Sequence, residues 1–179
     1  MANTEQLILR SPAKLNLFLH IVGRRSDGYH LLQSVFQLID WCDTIHLKRI
    51  SENEIRRINP IPGVPPEQDL VVRAANLLND FCKSDYGVEI DLKKEIPMGA
   101  GMGGGSSDAA TTLIGLNALW NLNLSKETLC ELGLKLGADV PFFIFGQNAF
   151  VEGIGEKIQA ISLQTPDFLV IFPNRGIDC

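Results

Sequence analysis

Five of the seven residues from Gly99 to Gly105 are glycine, with Pro97 and Met98 before them, Ala100 and Met102 among them, and the hydroxyls of Ser106 and Ser107 directly after. Glycine lets the backbone take φ > 0 and lets a ligand approach the peptide planes closely. An apolar run at helical spacing begins at once with Ala109, Ala110, Leu113, Ile114, Leu116, Leu119 and Trp120. Unpaired amides at a helix start, aligned with the helix dipole, attract anions. The segment therefore reads as a phosphate cradle; a plain strand-to-helix turn needs one or two glycines, not five. Two common phosphate motifs fail here. Gly99–Gly104 satisfies GxGxxG, but Pro97 and Met98 separate it from the preceding strand and no acidic ribose partner ends a strand about 20 residues on. A Walker A loop requires lysine before the Ser/Thr, where this chain has Gly105.

Other residues carry chemistry more quietly. Lys14 and Asn16 alternate along one strand face, which spacing alone reads as solvated. Asp139 follows a helix stop and precedes Val140-Pro141, where aspartate is a common turn or cap residue. Tyr29 and His30 sit in a glycine-flanked loop, a usual place for a packing anchor. Ser106 or Ser107 can offer a hydroxyl to a phosphate or to Mg²⁺, or cap the helix that follows.

The elements that must position these residues are legible in outline. From Ala13 the chain alternates, with Ala13, Leu15, Leu17, Leu19 and Ile21 on one face and Lys14, Asn16, Phe18, His20 and Val22 on the other, which predicts a strand with one buried face. Gly23–Gly28 is a polar loop. Leu31–Leu38 and Thr44–Ile50 read as strands joined around Asp40–Asp43, and Glu54–Ile58 as a weak strand. Pro60–Pro66 is a loop. Asp69 is placed to cap a helix running to Cys82, with Leu70, Ala74, Leu77, Leu78 and Phe81 inward. Val88–Leu92 is a strand leading to the glycine loop and Ser106–Trp120 the helix after it. Ser125 caps another helix that Gly137 stops. Phe142–Phe145 and Phe168–Phe172 read as strands. Strands and helices mix without regular βαβ alternation, so the fold class is α+β.

The 179 residues suffice for one domain, with or without an appendage. A net charge of -5 argues against non-specific binding to nucleic acid or to an anionic membrane. No apolar run approaches a membrane span, and Met1–Gln6 has neither the basic start nor the apolar core of a signal peptide. Cys42, Cys82, Cys130 and Cys179 have no CxxC spacing and read as free thiols of a reducing cytoplasm.

Pro97-x-x-x-Gly101-Met102-Gly103-x-x-Ser106-Ser107 resembles the phosphate motif of the GHMP kinases. Ser11–Leu19, Asp27-Gly-Tyr-His30, Pro97–Ser107 and Leu136–Pro141, in that order, are similar to the branch of that family whose acceptor is 4-diphosphocytidyl-2-C-methyl-D-erythritol, in the non-mevalonate isoprenoid precursor pathway. The resemblance covers about Leu7 to Phe172. It implies the family's amino-terminal domain, a mixed sheet packed with helices and related to the second domain of ribosomal protein S5. It also implies a cytoplasmic phosphotransferase using ATP and Mg²⁺ on a small-molecule alcohol, without nucleic acid or membrane. By resemblance, the glycine loop wraps the ATP phosphates, Lys14 lies beside the accepting hydroxyl, and Asp139 is the general base. Asn16 helps hold substrate, Tyr29 stacks on the cytosine, and His30 meets its edge. Asp69 and Lys94 match positions near the adenine. Met102 stands where the family usually has leucine, a mild change. The family carries a second domain after the Phe168–Phe172 region, so the expected division is 1–165 as the ATP- and substrate-binding domain and 166–179 as the start of a second one. Another GHMP kinase with a different alcohol, and a non-catalytic nucleotide-binding domain, remain the alternatives.

Overall fold

The structure is a computed structural model that describes residues 5–24, 26, 28, 30–164 and 166–172. Two long strands dominate it. β1 (Gln6–Arg24) pairs antiparallel along nearly the whole length of β2 (His30–Ile50). The opposite edge of β2 is shared: β4 (Gly87–Lys93) pairs with Thr44–Ile50, and β5 (Ala149–Gly153) with Leu32–Phe36. β3 (Ile55–Arg57) runs parallel to β4 and reaches it through helix α1 (Leu70–Cys82), while β6 (Lys157–Ala160) closes a hairpin with β5. The result is a six-stranded mixed sheet.

Helices α1, α2 (Gly104–Leu119), α3 (Lys126–Leu134) and α4 (Val140–Phe145) complete the fold. The main core is built from Ile45, Leu47, Val88 and Ile90 of the sheet against Val71, Leu78, Leu113, Leu116 and Phe142 of the helices. A smaller cluster of Ala13, Ile96 and Met102 lies with Trp41 and Val170 beside it. No helix among the described residues is long and apolar enough to cross a membrane.

Several sequence expectations change. Leu31–Leu38 and Thr44–Ile50 are parts of one 21-residue strand rather than two. The turn residues Asp40 and Trp41 are absorbed as a bulge, since Pro12 faces Cys42 while Ala13 faces Ile39. The expected single buried face of β1 does not hold. Ala13 is buried, but Leu17, Leu19 and Ile21 are exposed, whereas Lys14 on the other face is buried. From Asn16 to Val22 every residue is exposed, because there the ribbon runs beyond the helix layer. Phe142–Phe145 is helix, not strand: Pro141 opens it, Gly146 at φ 73 closes it, and a short apolar run carries no period that separates the two states. Phe168–Phe172 has no regular structure, and the β5–β6 hairpin lies where no strand was expected. In α1 the buried stripe is Val71, Ala74, Ala75 and Leu78, leaving Phe81 exposed at the end. α3 ends at Leu134, three residues short of Gly137.

Candidate nucleotide and catalytic site

The glycine loop lies between the end of β4 and α2. Gly99, Gly101 and Gly103 all take φ near +70° (71°, 71° and 70°), a conformation that costs any residue with a Cβ. No hydrogen-bond acceptor is met by the six amides from Gly101 to Ser106 among the described residues. Ser107 is the first to be satisfied, donating to the Gly103 carbonyl at 2.8 Å. A Cβ placed on Gly99 or Gly101 would meet nothing within 4 Å, so their surroundings are open. The loop is still anchored: Met102 is buried, and its carbonyl accepts from Lys14 N at 3.0 Å. Bare amides at the head of a helix of 16 residues are the physical requirement for holding a polyanion.

These residues line a cavity of about 340 Å³. Its walls are the loop from Pro97 through Ser106, including Met98 and Ala100, together with Lys94, Asp108 and an apolar side of Ile61, Val64, Leu70 and Leu92. Polar amides at one end and aliphatic side chains at the other suit a ligand with a charged tail and a flat apolar ring.

The two serines have different places. Gly103, in the left-handed region, is the N-cap of α2, so neither serine caps it. Ser107 is fully buried and accepts from the Ser11 hydroxyl at 2.9 Å. Ser106 lines the cavity.

Lys14 is buried, with its ammonium 3.4 Å from Asp139 Oδ2, 2.7 Å from Asn16 Oδ1, and 4.3 Å from the centre of the Phe36 ring. Burial lowers its pKa below the ordinary lysine value, and the Asp139 carboxylate works against that shift. Asp139 leads into α4 and makes no side-chain cap bond there. A Cβ on Gly103 would fall 3.3 Å from Lys14 Cε, so the lysine stem runs directly beside the loop. Lys14, Asn16, Asp139 and the loop are thus one assembly.

The remaining expected residues lie apart or are already engaged. Asp69 caps α1, accepting from Val71 N at 3.0 Å, and its other oxygen accepts from Arg57 Nε at 3.0 Å. Both its oxygens are spent on the fold at the cavity edge. His30 begins β2 and is exposed. Tyr29 lies outside the described residues. Lys94 sits at the head of α2, its ammonium 3.3 Å from where a Gly104 Cβ would be. It bonds the carboxylates of Asp43 and Asp108, the latter at 2.8 Å. Burial pushes the Lys94 pKa down, but the two carboxylates outweigh it and hold it above the ordinary value. Burial raises the Asp108 carboxyl to about 7 even beside Lys94. Neither Asp43 nor Asp108 stood out in the sequence. Asp108 directly follows the motif serines and was open to notice, but nothing local marks Asp43, which is 51 residues from Lys94.

Residues 69–147 match the sequence model of the GHMP kinases N terminal domain. The chain is 85% identical over 177 residues to a protein of Polynucleobacter necessarius subsp. necessarius named 4-diphosphocytidyl-2-C-methyl-D-erythritol kinase, covering 99% of this chain and 60% of that one. A Ralstonia nicotianae protein of the same name is 60% identical, over 97% of this chain and 60% of its own. This chain therefore spans about three fifths of the length of these relatives. Among solved structures, that of a 4-(cytidine 5'-diphospho)-2C-methyl-D-erythritol kinase superposes with a TM-score of 0.78 at 38% identity, covering 88% of this chain and 56% of that one. The Methanococcus jannaschii mevalonate kinase shares the fold, with a TM-score of 0.65 at 19% identity over 88% of this chain and 56% of its own.

Proposed function

We propose that the chain serves as a GHMP kinase amino-terminal domain, holding ATP for phosphoryl transfer to the 2-hydroxyl of 4-diphosphocytidyl-2-C-methyl-D-erythritol. The observation that carries the reading is the row of acceptor-free amides from Gly101 to Ser106, with the Lys14–Asp139 pair beside it. The names of the relatives support the choice of acceptor.

In this reading the glycine loop receives the triphosphate and the apolar wall receives the adenine. Mg²⁺ would arrive with the phosphates and neutralise charge on them, and the Ser106 hydroxyl, which lines the cavity, would be available to it. Asn16 orients the acceptor, and Tyr29 and His30 hold its cytosine. Asp139 accepts the proton of the substrate hydroxyl as that oxygen bonds to the γ-phosphorus and the bond to the β–γ bridging oxygen breaks, releasing ADP. The Lys14 ammonium stabilises the charge spread over the transferring group. The domain is taken as residues 1–165, with 166–179 opening a second one, in a cytoplasmic enzyme.

The test is ADP release from this sequence joined to the carboxy-terminal part of the Polynucleobacter relative. The reading predicts turnover with the cytidyl diol and none with mevalonate or homoserine. Lys14→Met and Asp139→Asn should each lower turnover roughly 10²–10⁴-fold with the ATP Kd within about threefold. ATP binding without ADP release from the diol rejects the acceptor; absence of ATP binding rejects the kinase.

A further inference from the structure

We propose that Asp43 is the positioning residue of the phosphate cradle, tying both ends of the glycine loop to one buried side chain so that the loop is shaped before nucleotide arrives. The inference deepens the kinase reading and depends on it for the identity of the ligand, not for the tie itself.

Asp43 is completely buried on β2, just past the bulge. Its Oδ1 accepts from the amides of Glu95 at 2.5 Å and Ile96 at 2.8 Å, the two residues that lead into Pro97. Its Oδ2 meets the Lys94 ammonium, which also reaches Asp108 Oδ2 at 2.8 Å one turn into α2. The entry to the loop is thus held directly, and the exit through Lys94. Between these ties lies a segment rich in glycine, the residue with the most backbone freedom to lose. Fixing each residue costs backbone entropy, and the row of open amides returns no hydrogen bond against that. Met102 pins the middle of the loop through its buried side chain and its carbonyl, which leaves the ends to Asp43.

The placement of Lys94 points the same way. An ammonium at the head of a helix opposes the helix dipole. Here two carboxylates keep it there, beside the amides that would meet a polyanion. Burying a carboxylate is costly unless its oxygens are fully bonded. Asp43 is fully bonded, and every partner belongs to the entry of the loop.

The test uses the whole 179-residue chain. Backbone ¹⁵N relaxation is measured without nucleotide, and the Kd for Mg-ATP by calorimetry, for wild type, Asp43→Ala and Asp43→Asn. In wild type the Gly101 and Gly103 amides should be ordered, with S² near 0.85. In Asp43→Ala they should fall below about 0.6 while α1 and α3 stay ordered, and the Kd should rise at least tenfold. Asp43→Asn keeps an oxygen for the two amides and loses the charge on Lys94. It should recover loop order and leave the Kd about threefold weaker, a rescue that a general loss of stability would not give. Unchanged loop order and Kd in Asp43→Ala overturn the proposal. If Asp43→Ala does not fold, an Asp43→Asn protein with wild-type Kd overturns it. A wild type that binds no ATP rejects the kinase reading, and the order parameters still decide the tie.

Discussion

Asp108 shows how finely single side chains are set in this site. Its carboxyl is buried, its Oδ1 has no partner, and Lys94, with a smaller contribution from the Ser11 hydroxyl, only partly offsets the cost of charge on it. With the folded pKa raised from 3.8 to about 7, the folded chain holds a proton that the unfolded chain has released across that interval. Stability from this group is therefore present in full below 3.8 and is lost as pH rises towards 7. Denaturant titrations from pH 4 to 7 should show wild type losing stability relative to Asp108→Asn, by on the order of 4 kcal/mol at 1.36 kcal/mol per unit. A difference that stays flat across that range would mean the carboxyl is ionised throughout. The same scale separates the serines: Ser107 spends its hydroxyl on Ser11 inside the fold, while Ser106 faces the cavity. Neighbouring residues of one type, alike in sequence, are divided by the helical turn.

At the scale of elements, Gly103 joins the loop, α2 and α4. Its φ is 70°, and a Cβ there would sit 2.8 Å from Phe143 Cζ and 3.3 Å from Lys14 Cε. Gly103→Ala should displace both, lowering turnover of the completed enzyme at least tenfold and costing about 1–3 kcal/mol of stability in thermal unfolding. An alanine variant with wild-type turnover would mean that the lysine does not depend on the loop for its place. Much of this arrangement was legible beforehand. The glycine density marked the loop with its positive φ angles, Asp69 and Ser125 marked two helix starts through their cap oxygens, and periodicity gave α1, α2 and β4. What was hidden depended on distant partners. Leu17, Leu19 and Ile21 alternate like a buried face but lie where the helices do not reach. Val140–Phe145 is too short to show a period, although Pro141 and Gly146 frame it as a helix. Asp43 acts only because β2 brings it to the residues after β4.

At the scale of the molecule, the sheet and helices form a platform whose helix-covered end carries the whole assembly of loop, Lys14 and Asp139. On the proposed reading, binding of the triphosphate draws on this platform alone. The relatives extend well beyond the part matched here, so turnover is tested on the chain joined to the remainder of a relative. The most direct measurement is a titration of the ¹⁵N-labelled chain with Mg-ATP, following the amides from Gly101 to Ser106. If the loop holds the phosphates, these resonances move together and saturate, adenosine alone does not move them, and amides of the β5–β6 hairpin stay still. Resonances of the loop that ignore Mg-ATP, or that respond equally to adenosine, would show that the bare amides are not where the phosphates go.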